Sequence, residues 1–116
     1  MDEASGNQVR TNALTPERVA ASAIQQAARH ERALIACLAE LDGVDAPSRE
    51  FAESVQRRAR RHAERAIGLT RTAIRVNRDP LAETFFAALL ERHERNALRV
   101  ARSATGAVSE ALSAAG

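Results

Sequence analysis

Lysine, tryptophan and tyrosine are absent from this chain of 116 residues, and phenylalanine occurs only three times. All 17 basic residues are therefore arginines. With so few bulky side chains, a close-packed core can form only if small residues let the backbones of neighbouring elements approach each other. The absence of lysine fits GC-rich codon usage, and it also fits selection against lysine modification in a host cell.

Cysteine and long apolar runs are scarce as well. The one cysteine, Cys37, excludes an internal disulfide and is compatible with a reducing compartment. No apolar run reaches 18 residues, and the N-terminus lacks the charged and apolar regions of a secretory signal. We therefore expect no transmembrane segment and a bacterial, cytoplasmic protein, or one secreted into a host cell without a conventional signal peptide.

The residues that are present favour helix, because alanine is abundant while glycine (5) and proline (3) are few. Thr15 and Asp79 each stand where a helix would need an N-cap, and the segment Asp45-Ala-Pro47-Ser48 opens the second helix. The sequence predicts an all-α antiparallel three-helix bundle with helices over about 16–41, 48–78 and 80–105. A kink or end is expected at 103–106, followed by a possible short fourth helix over 107–115. Residues 1–14 are predicted to be a disordered tail, and 15–116 a single helical-bundle domain.

Small and apolar residues recur at alternating spacings of three and four in each predicted helix, which is typical of coiled-coil-like packing. Alanine repeats every seven residues in the second helix, so its neighbours can pack tightly against it. In the first helix a second stripe widens this face. The predicted seams are Ala20, Ala23, Ala27, His30, Leu34, Cys37 and Leu41, widened by Ile24, Glu31 and Leu38; then Ala52, Val55, Ala59, His62, Ala66, Leu69, Ala73 and Val76; and Phe86, Leu90, His93, Ala97 and Val100, continuing to Ala104, Ala107 and Ala111.

The three histidines lie in these seams, each within an arginine-rich cluster, and are separated by 32 and 31 residues. Pairing the helices across their short turns places His30 opposite Ala59 and His93 opposite Ala66. The histidines are then staggered over about 10 Å along the bundle at 1.5 Å per residue. We expect seam histidines that form a polar ladder, with His30 near His62 or His62 near His93.

A metal or haem site is the main alternative for these histidines. Its candidate ligands are His30, Glu31, His62 and His93, with Glu31 able to ligate a metal or to orient His62, and the cofactor would be zinc, iron or haem. Against it, neither the Glu-x-x-His spacing of di-iron bundles nor the His-Glu-x-x-His zinc motif occurs. We therefore expect no cofactor, and we keep pH sensing and phosphotransfer as further alternatives.

The second predicted helix holds the excess positive charge, with nine arginines against three glutamates, a net charge of +6. A solvated surface is the simplest interpretation of this pattern. A basic stripe could also bind an acidic protein, an anionic lipid surface or nucleic acid; nucleic acid is disfavoured because no aromatic residue interleaves with the arginines. The candidate binding residues are Arg57, Arg58, Arg60, Arg61, Arg65, Arg71, Arg75 and Arg78.

These patterns predict a non-enzymatic helical interaction or adaptor module. No Gly-rich phosphate loop, Ser/His/Asp arrangement or convergent carboxylate pair is visible in the sequence. Extra apolar residues beside the third seam, such as Phe85, Leu89 and Leu98, favour a homo-oligomer. The alternatives are a metal- or haem-binding bundle, and a binder of anionic membranes or nucleic-acid phosphates.

Overall fold

The computed structural model describes residues 15–115, with side chains described over 15–103. Three helices make up nearly all of this range: α1 spans Pro16–Asp42, α2 spans Arg49–Val76 and α3 spans Pro80–Ala115. α1 packs along α2 and α2 packs along α3, which confirms the predicted all-α three-helix bundle. The predicted tail, residues 1–14, lies outside the described residues.

Each helix begins where a side-chain oxygen satisfies a free backbone amide. The Thr15 hydroxyl accepts a hydrogen bond at 3.3 Å from the amide three residues on, and the Ser48 hydroxyl does the same at 3.1 Å. The Asp79 carboxylate accepts at 3.0 Å from the amide two residues on. These bonds satisfy donors that have no partner within the helix, so the predicted starts are confirmed to within one residue.

The C-terminal end of the bundle differs from the prediction. α3 is one helix of 36 residues that continues through Gly106 to Ala115, so an end at 103–106 and a separate fourth helix over 107–115 were wrong, while the alternative of a kink at 103–106 stays a prediction. One glycine costs a helix only about 1 kcal/mol relative to alanine, and no proline occurs in this segment to remove a hydrogen bond. The second helix is also slightly shorter than predicted, because it ends at Val76.

The core consists of two apolar clusters, one at each end of the bundle. The four seam alanines of α2 are at most 1% exposed, so small residues do bring the helices together. One cluster lies towards the α1–α2 turn and the other towards the α2–α3 turn. The first contains Leu34, Cys37, Leu38, Leu41, Ala52, Val55, Ala59, Ala63 and Val100, and the second contains Ala20, Ala23, Ala73 and Phe86.

Polar side chains occupy the level between these two clusters. We call His30, Glu31, His62 and His93 the polar layer; Glu31 and His93 are buried, whereas His30 and His62 are half-buried. Every buried side-chain nitrogen or oxygen in the described part of the chain has a hydrogen-bond partner. The polar layer is therefore accommodated within the bundle without an unsatisfied group.

Candidate functional site

The polar layer contains a direct histidine pair between α1 and α2. The Nδ1 atoms of His30 and His62 lie 3.0 Å apart, and the two ring centroids are 5.2 Å apart. At this distance one Nδ1 donates a hydrogen bond and the other accepts it, so at least one of the two rings is neutral. The predicted proximity of His30 and His62 is confirmed.

The surroundings of His62 disfavour a positive charge on its ring. Burial lowers the pKa of His62, and the nearby charges of His30, Arg65, Arg61 and Arg58 lower it further. A neutral imidazole is the form that binds metals, but the same arginines also repel a cation. The pair is therefore best described as a hydrogen-bonded contact that joins two helices.

On the other side of α1, Glu31 forms a second polar cluster with α3. Its carboxylate accepts a hydrogen bond at 2.7 Å from Arg92 Nε and a second one from Arg92 Nη2. Asn96 Nδ2 donates to the same carboxylate at 2.8 Å, and His93 Nδ1 lies 3.7 Å away. We call these four residues the Glu31 cluster. The two-pronged contact from a guanidinium is the strongest geometry that an arginine offers a carboxylate.

His93 is the most buried member of the Glu31 cluster, with 3% of its surface exposed. Burial lowers its pKa, the negative charge of Glu31 opposes this effect, and the positive charge of Arg92 adds to it. The net direction is downward, so the ring is neutral at pH 7. The prediction that Glu31 orients His62 was wrong, because Glu31 faces α3 and contacts His93 instead.

The four candidate metal ligands thus divide into two pairs rather than surrounding one point. His30 contacts His62, while Glu31 contacts His93. Within the described residues, no group of three or more histidine, cysteine or carboxylate side chains is placed to hold a metal ion. His30 and Glu31 face different helices because they are adjacent on α1, and successive side chains of a helix point about 100° apart.

Sequence reasoning missed Arg92 and Asn96. Arg92 lies in a polar stretch with Glu91, Glu94 and Arg95, and more than half of its side chain is exposed, so its pattern resembles that of a solvated arginine. The signal that could have revealed both residues is their spacing of four, which places them on one side of α3. A buried glutamate in the seam of α1 requires such donors on its neighbour.

The arginines predicted to form a binding surface are all exposed, and we call them the basic face. Three of them form ion pairs: Arg58 with Glu40 at 3.0 Å, Arg60 with Glu64 at 3.2 Å and Arg71 with Glu94 at 3.9 Å. The other five have no carboxylate partner among residues 15–103. These are Arg57, Arg61, Arg65, Arg75 and Arg78, the last lying in the turn after α2.

Helical geometry aligns most of the basic face into one strip. The arginines at 57, 61, 71 and 75 lie opposite the alanine seam, which is buried against α1 and α3. From Arg57 to Arg75 the strip is about 27 Å long at 1.5 Å per residue. Its positive charges therefore face solvent together along most of α2.

The chain matches no protein-family model, no curated protein and no solved structure. Over the described residues, no helix combines the length and the apolar character that a membrane crossing needs. The polar layer joins the helices, whereas the arginines of the basic face are exposed to solvent.

Proposed function

We propose that this chain is a non-enzymatic helical binding module that docks an acidic protein partner on its basic face. The observation that carries the proposal is the basic face of eight exposed arginines, five of which have no carboxylate partner among the described side chains. Desolvated ion pairs with a partner would supply the carboxylates that these arginines lack. Arginine suits this role because its planar guanidinium binds carboxylates with two hydrogen bonds.

An acidic protein is favoured over nucleic acid by the composition of the surface around the arginines. Single-stranded nucleic acids bind by stacking their bases on aromatic side chains between basic residues. Of the three phenylalanines, Phe51 packs against the core and Phe85 and Phe86 lie on α3, so none lies on the basic face. The basic face therefore has no aromatic side chain on which a base could stack.

An anionic membrane is disfavoured for a similar reason. Helices that lie on membranes insert large apolar side chains next to their basic residues. The exposed large apolar residues among the described side chains are on α1, on α3 and in the first turn, and none is on α2. These are Ile35, Val44, Leu81, Phe85 and Leu98.

The proposal is tested by fluorescence anisotropy with a labelled polyglutamate peptide as the acidic probe. We expect binding that weakens as salt is raised, because exposed ion pairs are screened. The triple variant Arg57→Gln/Arg61→Gln/Arg65→Gln should bind about tenfold more weakly, since three lost ion pairs at roughly 0.5 kcal/mol each come close to the free energy of about 1.4 kcal/mol that corresponds to a tenfold change in affinity.

A matched triple variant, Arg29→Gln/Arg32→Gln/Arg99→Gln, removes the same charge from exposed positions on α1 and α3. It should bind the probe nearly as well as the natural chain. Equal losses in the two variants would mean that net charge alone attracts the probe. Stronger, salt-resistant binding to single-stranded DNA or to phosphatidylserine vesicles would reject an acidic protein as the partner.

A further inference from the structure

Gly68 lies in the middle of α2 on its exposed side. Apart from its two chain neighbours and the backbone of its own helical turns, a Cβ atom built at this position would meet no atom within 4 Å. Glycine is one of the poorest helix formers, so alanine at this position would favour the helix. Within the described part of the chain, no steric contact accounts for glycine at this position.

The residues around Gly68 on the same side of the helix are mostly basic. Side chains three, four and seven positions apart are neighbours on a helix surface. All four arginines at three and seven positions from Gly68 are exposed, and one of them, Arg71, is paired with Glu94 at 3.9 Å. The acidic neighbour Glu64 is already paired with Arg60. These arginines are Arg61, Arg65, Arg71 and Arg75.

Gly68 leaves space at the surface for a partner, but its backbone has no free amide with which to bind one. Its carbonyl accepts a hydrogen bond from the Thr72 hydroxyl at 3.1 Å in addition to its place in the helix. Backbone amides in the interior of a helix donate to the carbonyl four residues earlier, so this amide is not free to hold a phosphate. What the site offers is a gap in the side-chain layer with two arginines on either side.

We infer that Gly68 is the point at which an acidic α-helix of a partner protein crosses α2. The distance between two packed helices is set by the side chains at their contact, so a glycine lets the partner backbone approach closely. Carboxylates on either side of the crossing then reach Arg61 and Arg65 in one direction and Arg71 and Arg75 in the other. This inference rests on the proposed function, and it specifies both the shape of the partner and the position at which it binds.

The test is a graded series at this position, Gly68→Ala and Gly68→Leu. The probe is a labelled helical peptide of repeated Glu-Ala-Ala-Ala. Alanine should raise the thermal midpoint of the chain by about 4 °C, because it favours the helix without meeting any neighbour. Affinity should fall from glycine to alanine to leucine, reaching roughly tenfold for leucine as the larger side chain keeps the partner helix away.

Ala36→Leu is the matched control, since Ala36 is exposed on α1 and is not part of the basic face. It should leave probe affinity unchanged. A second peptide of equal charge, interrupted by prolines so that it cannot form a helix, should be insensitive to Gly68→Leu.

Two results would overturn the inference. If Gly68→Leu binds the helical peptide as well as the natural chain does, while the Arg57/Arg61/Arg65 variant binds it weakly, the basic face binds acidic partners without a close crossing and only the inference fails. If the helical and the interrupted peptides lose affinity equally, the partner shape is wrong. Absence of binding to either acidic peptide by the natural chain would instead reject the proposed function itself.

Discussion

Helix α1 meets its two neighbours in different ways. Its backbone lies close to that of α2 along the alanine seam, whereas it comes close to the backbone of α3 at few positions. His30 and Glu31 are adjacent in sequence, yet His30 joins the first interface and Glu31 bridges the second. The close interface needs small residues, and the wide one needs side chains long enough to span it.

The two interfaces also differ in what specifies them. Burial of alanine, leucine and valine is favourable at many relative positions of two helices, because it depends on area and not on direction. The hydrogen bonds of the Glu31 cluster depend on direction, because its carboxylate must accept from two guanidinium nitrogens and a side-chain amide at the same time. We infer that the apolar clusters supply most of the stability, and that the Glu31 cluster determines how α3 is rotated and placed beside α1.

The largest effect is expected from Glu31→Ala. This change leaves the donors of Arg92 and Asn96 without their acceptor next to the buried His93. Breaking a fully buried ion pair costs about 3–5 kcal/mol, and because the Arg92 side chain is 55% exposed we expect about 2–3 kcal/mol. Chemical denaturation of the two chains measures the difference.

The double variant Glu31→Leu/Arg92→Leu sharpens this comparison, because it removes the charges together and fills the space with apolar atoms. Replacing a buried ion pair in this way is often neutral, so most of the lost stability should return. Should Glu31→Ala alone prove as stable as the natural chain, the wide interface would not depend on this cluster.

A smaller effect is expected from pH, and it should involve both interfaces. The pKa values of His62 and His93 are lowered in the folded chain, so the unfolded chain binds protons more readily. Stability should therefore be fully present above the ordinary histidine pKa of about 6.5 and should fall as the pH drops below it. Thermal unfolding between pH 7.5 and 5.5 measures this loss above the range in which most carboxylates titrate.

Substituting each histidine in turn separates the contributions of His62 and His93 to the pH dependence of stability. His62→Gln should reduce the loss of stability at low pH that arises in the close interface. His93→Gln should do the same for the wide interface. The double variant should therefore show the smallest change in thermal midpoint over this pH range. If the double variant loses as much stability as the natural chain, groups other than these two histidines control the acid side of its stability.

The features confirmed from the sequence are those that depend on position along a helix. The caps at Thr15 and Asp79 follow from residue type and neighbours, and the alanine seam follows from spacing. The proximity of His30 and His62 follows from counting residues back from the turn, because both helices rise by the same amount per residue.

Features that depend on how a helix is rotated about its axis, or on how far apart two helices lie, could not be predicted from residue spacing. Whether Glu31 meets His62 or His93 depends on how α3 is turned about its axis, and the seam spacing leaves several rotations open. The continuation of α3 past Gly106 is a balance between one poor helix former and the good ones around it, and no pattern signals that balance. Both differences concern the helix that contacts α1 least.

The smallest effect is expected from Glu40→Gln, which removes the ion pair between Glu40 on α1 and Arg58 on α2. Arg58 Nη1 and Glu40 Oε2 are 3.0 Å apart, which is close to the distances in the Glu31 cluster. The side chains, however, are far more exposed than that of Glu31, at 51% for Glu40 and 44% for Arg58. Water already solvates both charges, so the pair is expected to contribute between 0 and about 1 kcal/mol and to contribute less as salt is raised. Denaturation at low and high salt measures it beside Glu31→Ala. A loss as large as that of Glu31→Ala would mean that distance, and not burial, decides what an ion pair contributes in this bundle.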